Sequence, residues 1–83
     1  MSEITFDIKK TYAVLSSEKN GWKKELNLVS WNGRQAKLDI RNWSPDHEKM
    51  GKGITLTLEE AAKLASALVS ALDEPSLNEP PPA

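Results

Sequence analysis

The dipeptide Asn32-Gly33 is the feature that most constrains this chain. It stands between two segments that alternate in polarity, Trp22 to Trp31 and Arg34 to Trp43. Asn-Gly supplies the two residues of positive φ that a tight hairpin needs, so the two segments are expected to pair as antiparallel strands. Alternate side chains of a strand point to opposite faces. Leu26, Leu28, Ala36, Leu38 and Ile40 then make one apolar face, the natural bed for another element. The opposite face carries Lys23, Asn27, Trp31, Lys37, Arg41 and Trp43.

The remaining elements arrange themselves around this ribbon. Ile4 to Ser16 alternates through Ile4, Phe6 and Ile8, then Tyr12 and Val14, and reads as a first strand bent near Lys9-Lys10. Ser17 to Gly21 is a turn. Ser44 to Gly53 reads as a polar loop and Ile54-Thr55-Leu56 as a short fourth strand. Thr57 with Glu60 three residues on forms a capping box, which opens a helix running to about Leu72. Its apolar residues, among them Leu64 and Leu68, fill an arc of roughly 180°, wider than one small sheet needs. Asp73 to Ala83 holds four of the five prolines and little to bury, so it reads as a disordered acidic tail. The reading is thus one α+β domain over residues 1–72, with strands at about 4–16, 22–31, 34–43 and 54–56, a helix at about 58–72, and a tail at 73–83.

Composition removes several classes of function. With no cysteine and a single histidine, thiolate chemistry and most zinc chemistry lack their side chains. The absence of cysteine fits a reducing cytoplasm. No apolar run approaches the roughly 20 residues of a membrane span, and the first residues lack the basic and apolar regions of a signal peptide. Asp46-His47-Glu48 offers three metal-ligand types in a row, but adjacent residues of one loop rarely converge on one ion, and a solvated loop is the better reading. Gly51-Lys52-Gly53 lacks the spacing of a P-loop and precedes a strand. No enzyme, metal, cofactor, small-molecule substrate or membrane is therefore expected.

Charge distribution points to a polyanion. The net charge is −1, yet Lys9 to Lys52 contains ten Lys/Arg against five Asp/Glu, and local charge governs phosphate binding more than the total does. Tryptophans interleaved with cations suit unpaired nucleic acid: bases stack on the rings while cations neutralise phosphates. The same two tryptophans fit a second core or a protein contact equally well, since aromatics are commonly buried.

Several stretches resemble a known family. Trp31-Asn32-Gly33, Leu38-Asp39-Ile40-Arg41, Trp43, and Lys52-Gly53-Ile54-Thr55-Leu56 leading into the capped helix are similar to the C-terminal domain of transcriptional positive cofactor four. Gly21 to Asn27, Val29 to Asn32 and Trp43 to Gly53 are closer still to its small bacterial relatives of the YdbC type. The resemblance covers about residues 4–72. It implies a homodimer of curved four-stranded antiparallel sheets, each followed by a helix, that binds single-stranded DNA with little sequence preference. It matches Trp31 to a stacking aromatic before the hairpin glycine, Trp43 to a second aromatic, and Arg34, Lys49 and Lys52 to phosphate-contacting cations. Arg41 occupies the motif arginine, which either touches phosphate or pairs with Asp39.

The expectation is a homodimeric, non-enzymatic protein of the cytoplasm and the bacterial nucleoid, acting in transcription regulation, as a coactivator, or in DNA maintenance. Its site would comprise Lys23, Lys24, Trp31, Arg34, Lys37, Arg41, Trp43, Lys49 and Lys52, with Leu64 and Leu68 in the dimer interface. Two alternatives stay open. A protein-interaction module would use the same Trp/Arg face, and RNA would serve as ligand because stacking does not read the 2′-hydroxyl.

Overall fold

The computed structural model describes residues 4–75. Strands β1 (Phe6–Ser17), β2 (Lys23–Trp31), β3 (Lys37–Trp43) and β4 (Met50–Leu56) form one sheet in chain order, and one helix, α1 (Leu58–Leu72), follows. Every neighbouring pair is antiparallel. The readings made for Met1 to Glu3 and for the tail from Ser76 onward lie outside the described residues.

The hairpin turn forms as its residues dictate. Asn32 and Gly33 have φ of 51° and 73°, and the Arg34 N–H donates to the Trp31 carbonyl at 2.9 Å. A two-residue turn alone would set odd residues of β2 opposite even residues of β3. The ladder instead pairs Leu26 with Ile40 and Leu28 with Leu38. One residue is absorbed between Arg34 and Ala36, and β3 starts at Lys37 rather than Arg34. The Ser30 hydroxyl, donating to the Arg34 carbonyl at 2.6 Å, holds that irregularity. A one-residue slip exchanges the two faces of a strand, so the apolar pattern sets the register and the turn adapts to it.

Two more departures from regular pairing shape the sheet. The register of β1 shifts between Ile8 and Lys10, Thr11 and Ala13, and Val14 and Ser16. Each bulge adds local bend and twist, so the kink expected near Lys9-Lys10 is the first of three. β4 begins at Met50, not Ile54. Arg41 faces Gly53 and Trp43 faces Met50, which leaves Gly51 and Lys52 together opposite Asn42. The glycines that suggested a loop are strand residues at a bulge.

The two faces are buried unequally. Leu26, Leu28, Leu38, Ile40 and Leu56, on the face that pattern marks as core, are only half-buried, and Ile54 is 52% exposed. Helix α1 lies over this face against β3 and β4. Its Ala61, Leu64, Ala65 and Leu68 share a cleft of about 240 Å³ with Leu26, Leu38, Ile40 and Leu56. The helix starts at the expected capping box, with Glu60 N–H donating to the Thr57 hydroxyl at 3.1 Å and Thr57 N–H to the Glu60 carboxylate at 2.9 Å. It has no buried residue. Among the described residues the fully buried apolar side chains, Val29 and Trp43, belong to the opposite, polar face. No described helix is long and apolar enough to cross a membrane.

Candidate nucleic-acid interface

The polar face is built on the β2–β3 ladder. Glu25 stands opposite Arg41, and Asn27 opposite Asp39. On the flanking strands, Phe6 of β1 faces Trp31 and Thr55 of β4 faces Asp39. An Arg/Asp and Glu/Asn ladder of this kind must be fully hydrogen-bonded to lie away from water, and most of it is. Asp39, with no exposed surface, receives Arg41 Nε and Nη2 at 3.0 Å each and the Thr55 hydroxyl at 2.8 Å. Arg41 Nη1 donates to the Gly51 carbonyl at 3.2 Å. Glu25 accepts from Asn27 Nδ2 at 3.1 Å, and the imidazole Nε2 of His47 lies 3.0 Å from it.

The two tryptophans of this face have different surroundings. Trp31 is half-buried at the hairpin end, with the Arg41 guanidinium 5.0 Å from its ring and Phe6 at 6.0 Å. Trp43 corrects the expectation of a second exposed ring. It is fully buried, Phe6 packs on it at 5.0 Å, and the His47 ring lies at 5.9 Å. Register explains this: Phe6 falls on the same face, and the loop after Trp43 turns His47 back onto Glu25. The indole Nε1 of Trp43, like that of Trp31, is buried without a hydrogen-bond partner among the described residues. Of the two alternatives for Arg41, the pairing with Asp39 is present, and three of its nitrogens are engaged within the chain.

The remaining cations do not gather on one face. Lys23 and Lys37 flank the ladder on the polar face, Lys37 across from Val29. Arg34 is exposed in the turn beside Trp31, and Lys49 is exposed next to β4. Lys24 and Lys52 line a shallow cleft of about 370 Å³ with Ile40, Arg41, Gly53 and Ile54. The site expected from sequence is thus split between the hairpin end and the β4 bulge.

The loop between β3 and β4 is a compact turn. Ser44 N–H donates to the Lys49 carbonyl at 3.0 Å and His47 N–H to the Ser44 carbonyl at 2.9 Å. Asp46 Oδ1 accepts from the Glu48 N–H at 3.0 Å and the Ser44 hydroxyl at 2.7 Å. These bonds, the Glu48 amide first and the Ser44 hydroxyl second, hold the Asp46 carboxyl below its ordinary pKa. Asp46 and His47 are therefore engaged in different local structures, the turn and the Glu25 pair. His47 has a φ of 60°, unusual for a side chain of its size.

The sequence pattern names Asp39 as a partner for Arg41, but it does not mark Phe6 as the third aromatic of this face or Glu25, His47 and Thr55 as its polar filling. The opposed charges Glu25 and Arg41 at matching parity were the available signal. It also missed Trp22, half-buried at the far end of the sheet, close to where a side chain at Gly51 would stand.

A family model described as transcriptional coactivator p15 (PC4) matches residues 18–67. An uncharacterised protein of Treponema pallidum (strain Nichols) is 49% identical over 65 residues, covering 78% of this chain and 76% of the relative. The family match runs from the turn before β2 through β3 and the bulged β4 into α1, and of the face just described it leaves out Phe6 of β1. On that extent of agreement, the chain belongs to the transcriptional coactivator p15 (PC4) family.

Proposed function

We propose that the protein is a homodimeric single-stranded DNA-binding protein with little sequence preference, serving transcription regulation or DNA maintenance without catalysis. The observation that carries this is Trp31, a partly buried indole at the hairpin end with Arg34 beside it in the turn and Lys37 further along the same face. A flat ring beside cations stacks an unpaired base and neutralises its phosphate, and a duplex offers no free base face. Trp31 is the stacking platform in this reading. Lys23, Lys24, Arg34, Lys37, Lys49 and Lys52 meet phosphates, and Trp43 supports the platform from within.

The dimer is supported by the uncovered apolar face. Leu58, Leu68 and Val69 of α1 are 75%, 51% and 63% exposed, and Leu26, Leu28 and Ile40 are only half-covered. So much exposed apolar surface on so small a chain marks an interface, and a second copy offers the same surface in return.

Fluorescence anisotropy with labelled single-stranded DNA, duplex DNA and RNA of equal length tests the reading. Single-stranded DNA should bind more tightly than duplex, and affinity should fall steeply with salt. Equal binding to duplex would refute the platform. Affinity independent of salt would favour a protein-interaction module instead.

A further inference from the structure

We propose that Arg41 is a positioning residue for Trp31 rather than a phosphate contact. The inference rests on the platform reading and adds a specific residue to it. The guanidinium lies 5.0 Å from the Trp31 ring and is itself held by other residues of the sheet. Asp39 grips it through two bonds of 3.0 Å, in the planar fork that only arginine offers. Asp39 has no exposed surface and is in turn fixed by the Thr55 hydroxyl at 2.8 Å. A third donor reaches the Gly51 carbonyl at 3.2 Å, at the bulge that carries Lys52. The Arg41 side chain is 16% exposed.

This geometry gives Arg41 two tasks. Its cation lies against the Trp31 indole, an attractive contact that limits the ring's freedom before any base arrives. Its bond to Gly51 ties the stacking ring of β2 to the bulge of β4, so the platform and the Lys52 backbone share one rigid anchor. Ordering a side chain only on binding weakens association. Loss of the anchor should therefore weaken binding without removing a phosphate contact, and the number of phosphate contacts is what the salt dependence reads.

Two variants test this by anisotropy with single-stranded oligothymidylate across a salt series. The paired change Asp39→Asn with Arg41→Gln keeps the net charge and leaves no buried ion alone. Arg41→Lys keeps the cation but loses the planar fork. Both should lower affinity about 3–10-fold, leave the salt slope at the parental value, and alter the near-ultraviolet circular dichroism of the free protein. Neither should lower affinity further in a Trp31→Ala background, because a residue acting through Trp31 has no effect once Trp31 is gone.

A fall in slope of about 0.7 in the paired variant would place Arg41 on a phosphate and overturn the inference. Parental affinity in Arg41→Lys would overturn it too, since charge alone would then suffice. If the paired variant fails to fold, Arg41→Lys decides. The platform reading fails separately: that result is an unchanged affinity in Trp31→Ala alone.

Discussion

Gly53 faces Arg41 across the β3–β4 ladder so closely that no side chain fits between them. A methyl group at Gly53 would run into the Arg41 Cβ and the Ile40 carbonyl oxygen. Both obstacles lie on or next to the backbone of β3, so the strand itself would have to move. Gly53→Ala should therefore destabilise the protein by about 1–3 kcal/mol, the usual cost of overpacking. Urea unfolding followed by tryptophan fluorescence measures it. A midpoint equal to the parent's would mean the strands separate freely here and the bulge is not tightly paired.

Trp31 and Trp43 should respond oppositely to the same substitution. Trp43 is fully buried against Phe6, and Trp43→Ala should cost about 3–5 kcal/mol of stability. Trp31 is only partly buried, and Trp31→Ala should cost about 1–3 kcal/mol of binding to single strands with a smaller loss of melting temperature than Trp43→Ala. Thermal melts and anisotropy on both variants separate the roles. A Trp43→Ala protein of parental stability would show that its ring is not part of the core.

Much of this architecture is legible in the sequence, and the residues show where legibility stops. Alternation over Leu26, Leu28, Leu38 and Ile40 identifies the apolar face, because burial repeats every two residues in a strand. Thr57 and Glu60 mark the helix start, because a cap is a local hydrogen-bond pattern. The early start of β4 is not legible because glycine penalises a strand locally, while the need for glycine at Gly53 comes from Arg41 twelve residues earlier. The burial of Trp43 is hidden for the same kind of reason. Its parity gives its face, but only the register of β1 brings Phe6 over it, and three bulges hide that register from any two-residue pattern. The inward turn of His47 depends on its φ of 60° and on a partner, Glu25, in another strand.

The turn after β3 should weaken in acid. The Asp46 carboxyl is held below its ordinary pKa by the Glu48 amide and the Ser44 hydroxyl. A depressed carboxyl stabilises the fold fully above its unfolded pKa and loses that contribution as pH falls through the folded value. Parent and Asp46→Asn should differ in melting temperature at neutral pH and converge at the acid end. A difference constant across the acid range would show that the charge of Asp46 contributes nothing.

Leu68 tests the dimer directly. It is 51% exposed in the single chain, at the rim of the cleft under α1, so in a monomer a glutamate there could still reach water. Beneath a second copy it would bury an unpaired charge, at a cost of about 3–5 kcal/mol. Light scattering should give the parent about twice 9.2 kDa, and the variant should be monomeric or unfolded. A monomeric parent, or a variant that dimerises as well as the parent, would require another cover for this face.

Lys52 should leave an electrostatic signature that Trp31 does not. It is exposed at the β4 bulge, beside Lys24 in the same shallow cleft. A lysine that neutralises one phosphate releases one share of condensed counterion, so its loss should reduce the slope of log affinity against log salt by about 0.7 for a single strand. The weakening should be the same for every sequence, because phosphates carry no base identity. Trp31→Ala should lower affinity with its slope nearly unchanged, since stacking displaces no counterion. Lys52→Ala should also keep the parental melting temperature, because its side chain forms no ion pair or hydrogen bond among the described residues. Salt titrations of the two variants on oligothymidylate and on a mixed-sequence strand make the comparison. An unchanged slope in Lys52→Ala would take this lysine off the path of the strand and confine phosphate contact to the hairpin end, around Arg34 and Lys37.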